Sequence, residues 1–319
     1  MDQTLRKKEY GTGLLCALGS MLMWGILPIY WQSLQPINPL LIMFYRLVLA
    51  CVLVFVVDLF VFGFREIFRP LKKKGAIPAF FLAGVLISCN WGLYIFMVNS
   101  RYVIQTSIGY YIEPLVVCVF GVLFFKEKLS RYKVGALLLA LAGVGVMLLS
   151  LGQVPVLAFG LAFSFACYAA IKKKLHAPAL LSLFYETLFL LPIIVPWILY
   201  YEMTGQGAFA TASPGQLGLL ALSGLFTATP LCLFSMAANR ISLVVLGITE
   251  YLSPSITLLL GIFLFKENFD RYQLMGFVVI WIGLAVFTLG EMRERRAMEQ
   301  VGEGAEEEAA AEKGTASRS

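Results

Sequence analysis

Residues 40–146 and 180–286 are one segment written twice, 140 positions apart. Leu40-Leu41-Ile42-Met43-Phe44-Tyr45-Arg46 returns as Leu180-Leu181-Ser182-Leu183-Phe184-Tyr185-Glu186. Phe125-Lys126-Glu127 with Arg131-Tyr132 returns as Phe265-Lys266-Glu267 with Arg271-Tyr272. Asn99, Pro114 and Gly121 meet Asn239, Pro254 and Gly261 at the same offset. Any fold for this chain must accept the segment twice, so its core is built from two like halves.

The medium for those halves is set by composition. The chain is 60% hydrophobic and only 14% charged, whereas a soluble domain carries about 25% charged residues. Ten apolar segments can be drawn, at 12–31, 40–62, 77–99, 104–125, 132–150, 154–171, 179–200, 215–238, 243–265 and 272–290. Each is about long enough to cross a bilayer as a helix. The expected fold class is therefore an all-α polytopic membrane protein with ten transmembrane helices in two five-helix repeats. The expected units are 1–150 for the first repeat, 151–290 for the second, and a Glu/Ala-rich tail, 291–319, too polar to pack and disordered or transiently helical. The N-terminal run reaches Trp31 without a small-residue cleavage site, which fits a spanning helix rather than a signal peptide.

An even number of spans places both termini on one side. If that side is the cytoplasm, inside segments hold nineteen Lys and Arg residues, with Lys172, Lys173 and Lys174 among these loop cations, and outside loops hold only Arg101, Lys266 and Arg271. The positive-inside bias then gives an N-in, C-in topology. Because each unit has five spans, an odd number, the second unit enters from the opposite face. Inverted repeats of this kind suit alternating access about a central site.

The same composition excludes other classes. The net charge of +6 reflects topology-setting basic residues at span ends, with no basic face for a phosphate backbone, so no nucleic acid is expected. The six cysteines fall singly inside apolar runs, and His176 is the one histidine. No metal site, cofactor or catalytic triad is expected. No Walker A motif is present, which argues against direct ATP use.

In order along the chain, Trp24-Gly25-x-x-Pro28-x-Tyr30-Trp31, Arg46, Asn90-Trp91-x-x-Tyr94, Gly109-Tyr110-x-x-x-Pro114-Leu115, Glu186-Thr187-Leu188 and Tyr251-x-x-Pro254 resemble the EamA family of the drug/metabolite transporter superfamily. The resemblance spans roughly residues 11–290. It implies ten helices in two inverted repeats, a location in the bacterial inner membrane, and export of a small molecule. The chain departs from that pattern at two positions. Glu113 precedes Pro114 where an amide is expected, and Glu250 precedes Tyr251 where a glutamine is expected. Chemistry assigned to these acids is therefore not carried over from the family.

Four charges lie well inside the spans: Arg46, Glu113, Glu186 and Glu250, with Asp58 nearer an end. Charge at membrane depth is costly and normally faces a cavity or a partner. Helical rise puts Arg46 about 9 Å and Glu113 about 13 Å from the outer ends of their spans, so the two are candidates to pair. Glu186 and Glu250 lie about 10 Å from the inner ends of theirs. If all four face one cavity, one positive charge meets three negative ones, and one carboxyl is expected to hold a proton. Glu186, with or without Glu250, is the expected proton-coupling group. A structural ion pair is the competing reading.

Rings with polar tips suit a pocket for an amphipathic organic solute. Trp24, Trp91, Tyr94, Tyr110, Tyr111 and Tyr251, with Asn90, are the candidates for substrate binding. Interfacial belts and helix packing are the competing reading, and they fit Tyr30, Trp31, Trp197, Tyr200 and Tyr201. Pro28, Pro114, Pro230 and Pro254 sit inside spans and are candidate hinges. Glu127 and Glu267 lie in tight loops, in which Ser130 and Asp270 are placed to cap the following helices. Ala136, Ala140, Gly143 and Gly145 suit close helix packing, within a monomer or across a homodimer. The expected partners are a small-molecule substrate, the lipid bilayer and protons as coupling ion. The expected function is a non-enzymatic secondary transporter. The alternative is a membrane channel or sensory membrane protein without coupled transport.

Overall fold

In a bilayer the backbone must satisfy its own hydrogen bonds, which leaves helices as the solution for apolar runs of about 20 residues. The computed structural model describes residues 3–99, 103–149, 155–264 and 271–316, and no strand occurs among them. In chain order the helices are α1 Gln3–Ser33, α2 Pro39–Val61, the short α3 Phe64–Ile67, α4 Ala76–Asn99, α5 Val103–Phe125, α6 Arg131–Leu149, α7 Val156–Leu175, α8 Ala179–Leu188, α9 Leu191–Met203, the short α10 Ala208–Thr211, α11 Pro214–Ala238, α12 Leu243–Glu250, α13 Leu252–Phe263 and α14 Arg271–Ala316. The loop 265–270, which carries Glu267 and Asp270, lies outside the described residues.

Nine described helical segments, α12 and α13 together counting as one, are long and apolar enough to span a membrane, or ten when the bent pair α8–α9 also counts as one. The seventh expected span is therefore not straight: it bends by 57° at the α8–α9 break, where Pro192 opens α9. The ninth is divided at Tyr251 between α12 and α13, with Pro254 three residues on. A proline at that position withholds the amide that would close the preceding turn.

Helix starts follow from local chemistry. The Asn38 side chain accepts from the Leu40 amide at 2.9 Å, with Pro39 opening α2. Ser213 and Gln216 form a reciprocal capping box ahead of α11. Ser130 accepts from the Lys133 amide at 3.4 Å at the start of α6. The start of α12 is doubly held. Ser242 accepts from the Val245 amide at 3.1 Å, and the Glu127 carboxylate accepts from the Leu243 and Val244 amides at 2.7 and 2.8 Å. A carboxylate there also meets the positive end of the helix dipole. Glu127 thus leaves its own hairpin to cap a helix of the other half, and Lys173 Nζ pairs with it at 3.2 Å.

Packing follows the duplication. α1 lies against α11 and α13, while α7 lies against α4 and α5. α2 packs on α11 and α8, and α4 on α8. α5 meets α12, and α6 meets α14. Exchanging α1 with α7, α2 with α8, α4 with α11, α5 with α12–α13 and α6 with α14 reproduces this pattern. Gly143 of α6 is used inside the chain, whereas a methyl on Gly145 would meet nothing within 4 Å. A methyl on Gly143 would stand 2.6 Å from the Gly276 carbonyl oxygen, and one on Gly276 would stand 2.6 Å from that of Gly143. α6 and α14 therefore touch backbone to backbone. Large apolar side chains such as Phe60 and Leu149 stay more than 80% exposed, as an outward face against lipid requires.

Candidate functional site

The expected intramembrane charges divide into two groups. The first is built from α1, α2, α4, α5 and α12. The Arg46 Cζ sits 3.8 Å from the centroid of the Trp91 ring and 5.2 Å from that of Trp31. Tyr94 and Tyr110 lie within electrostatic reach of the guanidinium, their rings tilted with centroids 5.8 Å apart. Tyr110 also neighbours Glu113, one turn further along α5. Glu113 in turn faces Glu250 at the end of α12. Both carboxyls are buried. Glu113 Oε2 and both oxygens of Glu250 have no hydrogen-bond partner. The anticipated Arg46–Glu113 ion pair does not form among the described residues. The arginine is held between indoles, and the acid faces another acid across the two halves.

That meeting depends on a close helix crossing. A methyl on Gly247 would stand 2.9 Å from the Pro114 carbonyl oxygen and 2.8 Å from Cys118 Sγ. Cys118 donates to the Val244 carbonyl at 3.3 Å. Only a glycine on α12 lets α5 come this near, which carries Glu250, one turn on, to the Glu113 side chain. Tyr251 donates to the Tyr111 carbonyl at 3.1 Å, tying the broken helix to α5. Tyr111 itself packs edge-on against Phe277 with centroids 4.6 Å apart.

The second group surrounds Glu186. Lys172 Nζ lies 2.7 Å from Glu186 Oε1, with both side chains 1% exposed. Ser182 donates to the same oxygen at 2.5 Å, Lys172 donates to Ser182 at 2.8 Å, and the Tyr168 hydroxyl donates to Glu186 Oε2 at 3.3 Å. Asp58 is fully buried nearby, with neither oxygen hydrogen-bonded. It shares with Lys172 and Glu186 the neighbourhood of Cys232. Trp24 reaches this group through aromatic contacts, against Phe165 and Phe234, which pack on Tyr168.

Sequence reasoning counted Lys172 among loop cations and ranked Asp58 as interfacial. Both are interior. One signal for Lys172 was available: Lys172, Lys173 and Lys174 are consecutive on a helix, where successive side chains point about 100° apart, so three in a row cannot share one face. Lys172 turns inward to Glu186 and Lys173 turns to Glu127. No such signal marks Asp58.

The other expected residues lie at contacts between helices or within them. Asn90 Nδ2 donates to the Leu161 carbonyl at 2.8 Å and to Ser164 Oγ at 3.0 Å, joining α4 to α7. Pro114 lies within an unbroken α5, while its repeat mate Pro254 follows the α12–α13 break. Pro28 and Pro230 lie inside α1 and α11, and the Pro230 carbonyl accepts from Ser20 at 2.8 Å. Clefts open elsewhere among the described residues. One of about 430 Å³ lies among Glu9, His176, Asn239 and Arg240. The other, a groove of about 260 Å³, is lined by Val54, Val57, Leu180, Leu225, Thr229 and Cys232. Neither is lined by Arg46, Glu113 or Glu250. Among the described residues no group of three or more His, Cys, Asp or Glu side chains is arranged to hold a metal ion.

The model of the EamA-like transporter family matches this chain twice, over residues 11–149 and 154–289. The chain is 38% identical to the uncharacterized transporter YojE of Bacillus subtilis over 298 residues, covering 92% of this chain and 99% of that protein. It is 38% identical to Protein RarD of Streptomyces exfoliatus, covering 91% and 92%. It is 31% identical to Protein RarD of Escherichia coli K12, covering 91% and 98%. A solved crystal structure, 15% identical and covering 88% of this chain and 98% of its own, superposes with a TM-score of 0.67 and so shares the fold. The chain therefore belongs to the EamA-like transporter family, as a RarD-like multi-pass membrane protein.

Proposed function

We propose that this chain is a secondary active transporter of the bacterial inner membrane, with both termini in the cytoplasm. It exports a small organic molecule by alternating access, coupled to protons or by exchange. The family and its bacterial relatives support the transport role and the location. The duplicated packing supports two halves that trade conformations about a common centre.

The observation that carries the coupling proposal is the meeting of Glu113 from the first half with Glu250 from the second, buried and without hydrogen bonds at three of their four oxygens. Two facing carboxylates in a low-dielectric interior are strongly disfavoured as a doubly ionised pair, so the pair retains a proton until the site opens to water. Because the acids sit on different halves, relative motion of the halves changes their separation and hence their hold on that proton. Glu186 is less suited to this role, since Lys172 already balances its charge at 2.7 Å. The four prolines Pro28, Pro114, Pro230 and Pro254 are proposed to ease the helix bending that such motion needs.

Comparing the medium and cytosol of overexpressing and deletion strains by metabolomics identifies the cargo. Its flux is then measured in proteoliposomes with and without a pH gradient. We expect the Glu113→Gln/Glu250→Gln protein to lose gradient-driven flux while keeping substrate exchange. If that variant still follows the pH gradient as the parent does, the acid pair is not the coupling site.

A further inference from the structure

The two halves treat the same register position in opposite ways. Position 186 holds an anion met by Lys172 Nζ at 2.7 Å, by Ser182 Oγ at 2.5 Å and by Tyr168 at 3.3 Å. Its mate, position 46, holds a cation with no carboxylate partner among the described residues. The repeat mate of Lys172 is Gln32, so the first half carries no ion at the position that neutralises Glu186 in the second.

Arg46 is nevertheless placed with care. Trp91 covers its guanidinium at 3.8 Å and Trp31 lies at 5.2 Å. The Nε donor is sealed from solvent with no acceptor in reach, while the residue as a whole stays half-buried. Indole against the guanidinium face removes water from that face but satisfies none of the N–H donors, which lie in the plane and point along its edges. A guanidinium edge presents parallel N–H groups matched to the two oxygens of a carboxylate. An unmet donor at membrane depth costs free energy, and a bound anion recovers it. The surrounding Trp31, Trp91, Tyr94 and Tyr110 rings offer faces and edges to a flat apolar body attached to that anion.

We propose that Arg46 is the anchor for the carboxylate of an aromatic organic anion, with Trp31, Trp91 and Tyr110 as the walls. The inference deepens the transporter reading by giving the cargo a chemical class, and its biological meaning rests on that reading. Binding itself can be measured without transport.

The purified full chain in detergent is titrated calorimetrically with three probes that share one ring: indole-3-acetate, indole-3-acetamide and tryptamine. They carry a negative charge, no charge and a positive charge. Indole-3-acetate is expected to bind about tenfold or more tightly than its amide, the scale of a charge-assisted bidentate contact. Arg46→Gln should erase that preference. Arg46→Lys, which keeps the charge but not the fork, should keep part of it and covers the case in which Arg46→Gln fails to fold, as judged by circular dichroism and gel filtration. Equal binding of the three probes, preserved preference in Arg46→Gln, or no heat from indole-3-acetate at millimolar concentration overturns the proposal. Selective binding without carrier-dependent flux of the probe in proteoliposomes would instead count against the transporter reading and leave the anion site standing.

Discussion

Replacing Lys172 with methionine removes the cation that faces Glu186 and leaves the volume nearly filled. Both side chains are 1% exposed and their charged atoms are 2.7 Å apart. At an effective dielectric of about 20 the Coulomb attraction at that distance is roughly 6 kcal/mol. The dehydration of both ions offsets much of this, and removing one partner of a buried pair typically costs about 3–5 kcal/mol, because the other charge is left behind. Ser182 and Tyr168 still donate to Glu186, which places the expected loss at the lower end of that range. Converting Glu186 to methionine as well removes the stranded charge, so the double variant should recover to within about 1 kcal/mol of the parent. Unfolding of the purified protein by SDS in mixed micelles, run on both single variants and the double, gives the coupling energy directly. If the losses of the two single variants simply add in the double variant, the Lys172–Glu186 contact carries no energy and the reasoning is wrong.

Asp58 has no hydrogen-bond partner for either oxygen in a fully buried position, so Asp58→Leu, which removes both unpaired polar atoms, should raise stability by about 1–3 kcal/mol in the same unfolding assay. A loss of flux in proteoliposomes with that gain would mark Asp58 as kept for function. Glu127→Ala should cost about 1–3 kcal/mol, because it strips two amide caps from α12 and removes the carboxylate that pairs with Lys173, and Glu127→Gln should recover part of it. Gly247→Val should cost about 1–3 kcal/mol or more, since even a methyl there lies 2.9 Å from the Pro114 carbonyl oxygen. The matching readout is slower or lost flux, because α5 and α12 must separate to admit the side chain.

Much of the site was legible because depth along a helix can be counted from sequence. Arg46, Tyr110, Glu113 and Glu250 stand out as polar groups in apolar runs, and the fold brings them into one chain of neighbours. Their pairing was less legible. Arg46 and Glu113 are opposite in charge and share the outer half, yet rotation about each helix axis decides which neighbour a side chain meets. That rotation aims Arg46 at Trp91 and Glu113 at Glu250. Trp31 was read as part of an interfacial belt and lines the Arg46 cage. Lys172 was assigned to a loop by its basic neighbours and turns out to neutralise Glu186.

The sequence by itself determined that the chain is helical, apolar and duplicated, because those properties depend on residue type and spacing along one strand of chain. Helix length, caps and breaking prolines are likewise local. Tertiary structure decided which charges are satisfied and which are left open. That outcome depends on helices far apart in sequence approaching at glycines such as Gly247 and Gly143, where backbone contact fixes the rotation and depth of each neighbour. The duplicated Arg46 and Glu186 thus share a register in the chain but not an electrostatic fate. Glu186 is closed by a lysine from α7, while the buried Nε of Arg46 has no hydrogen-bond partner among the described residues.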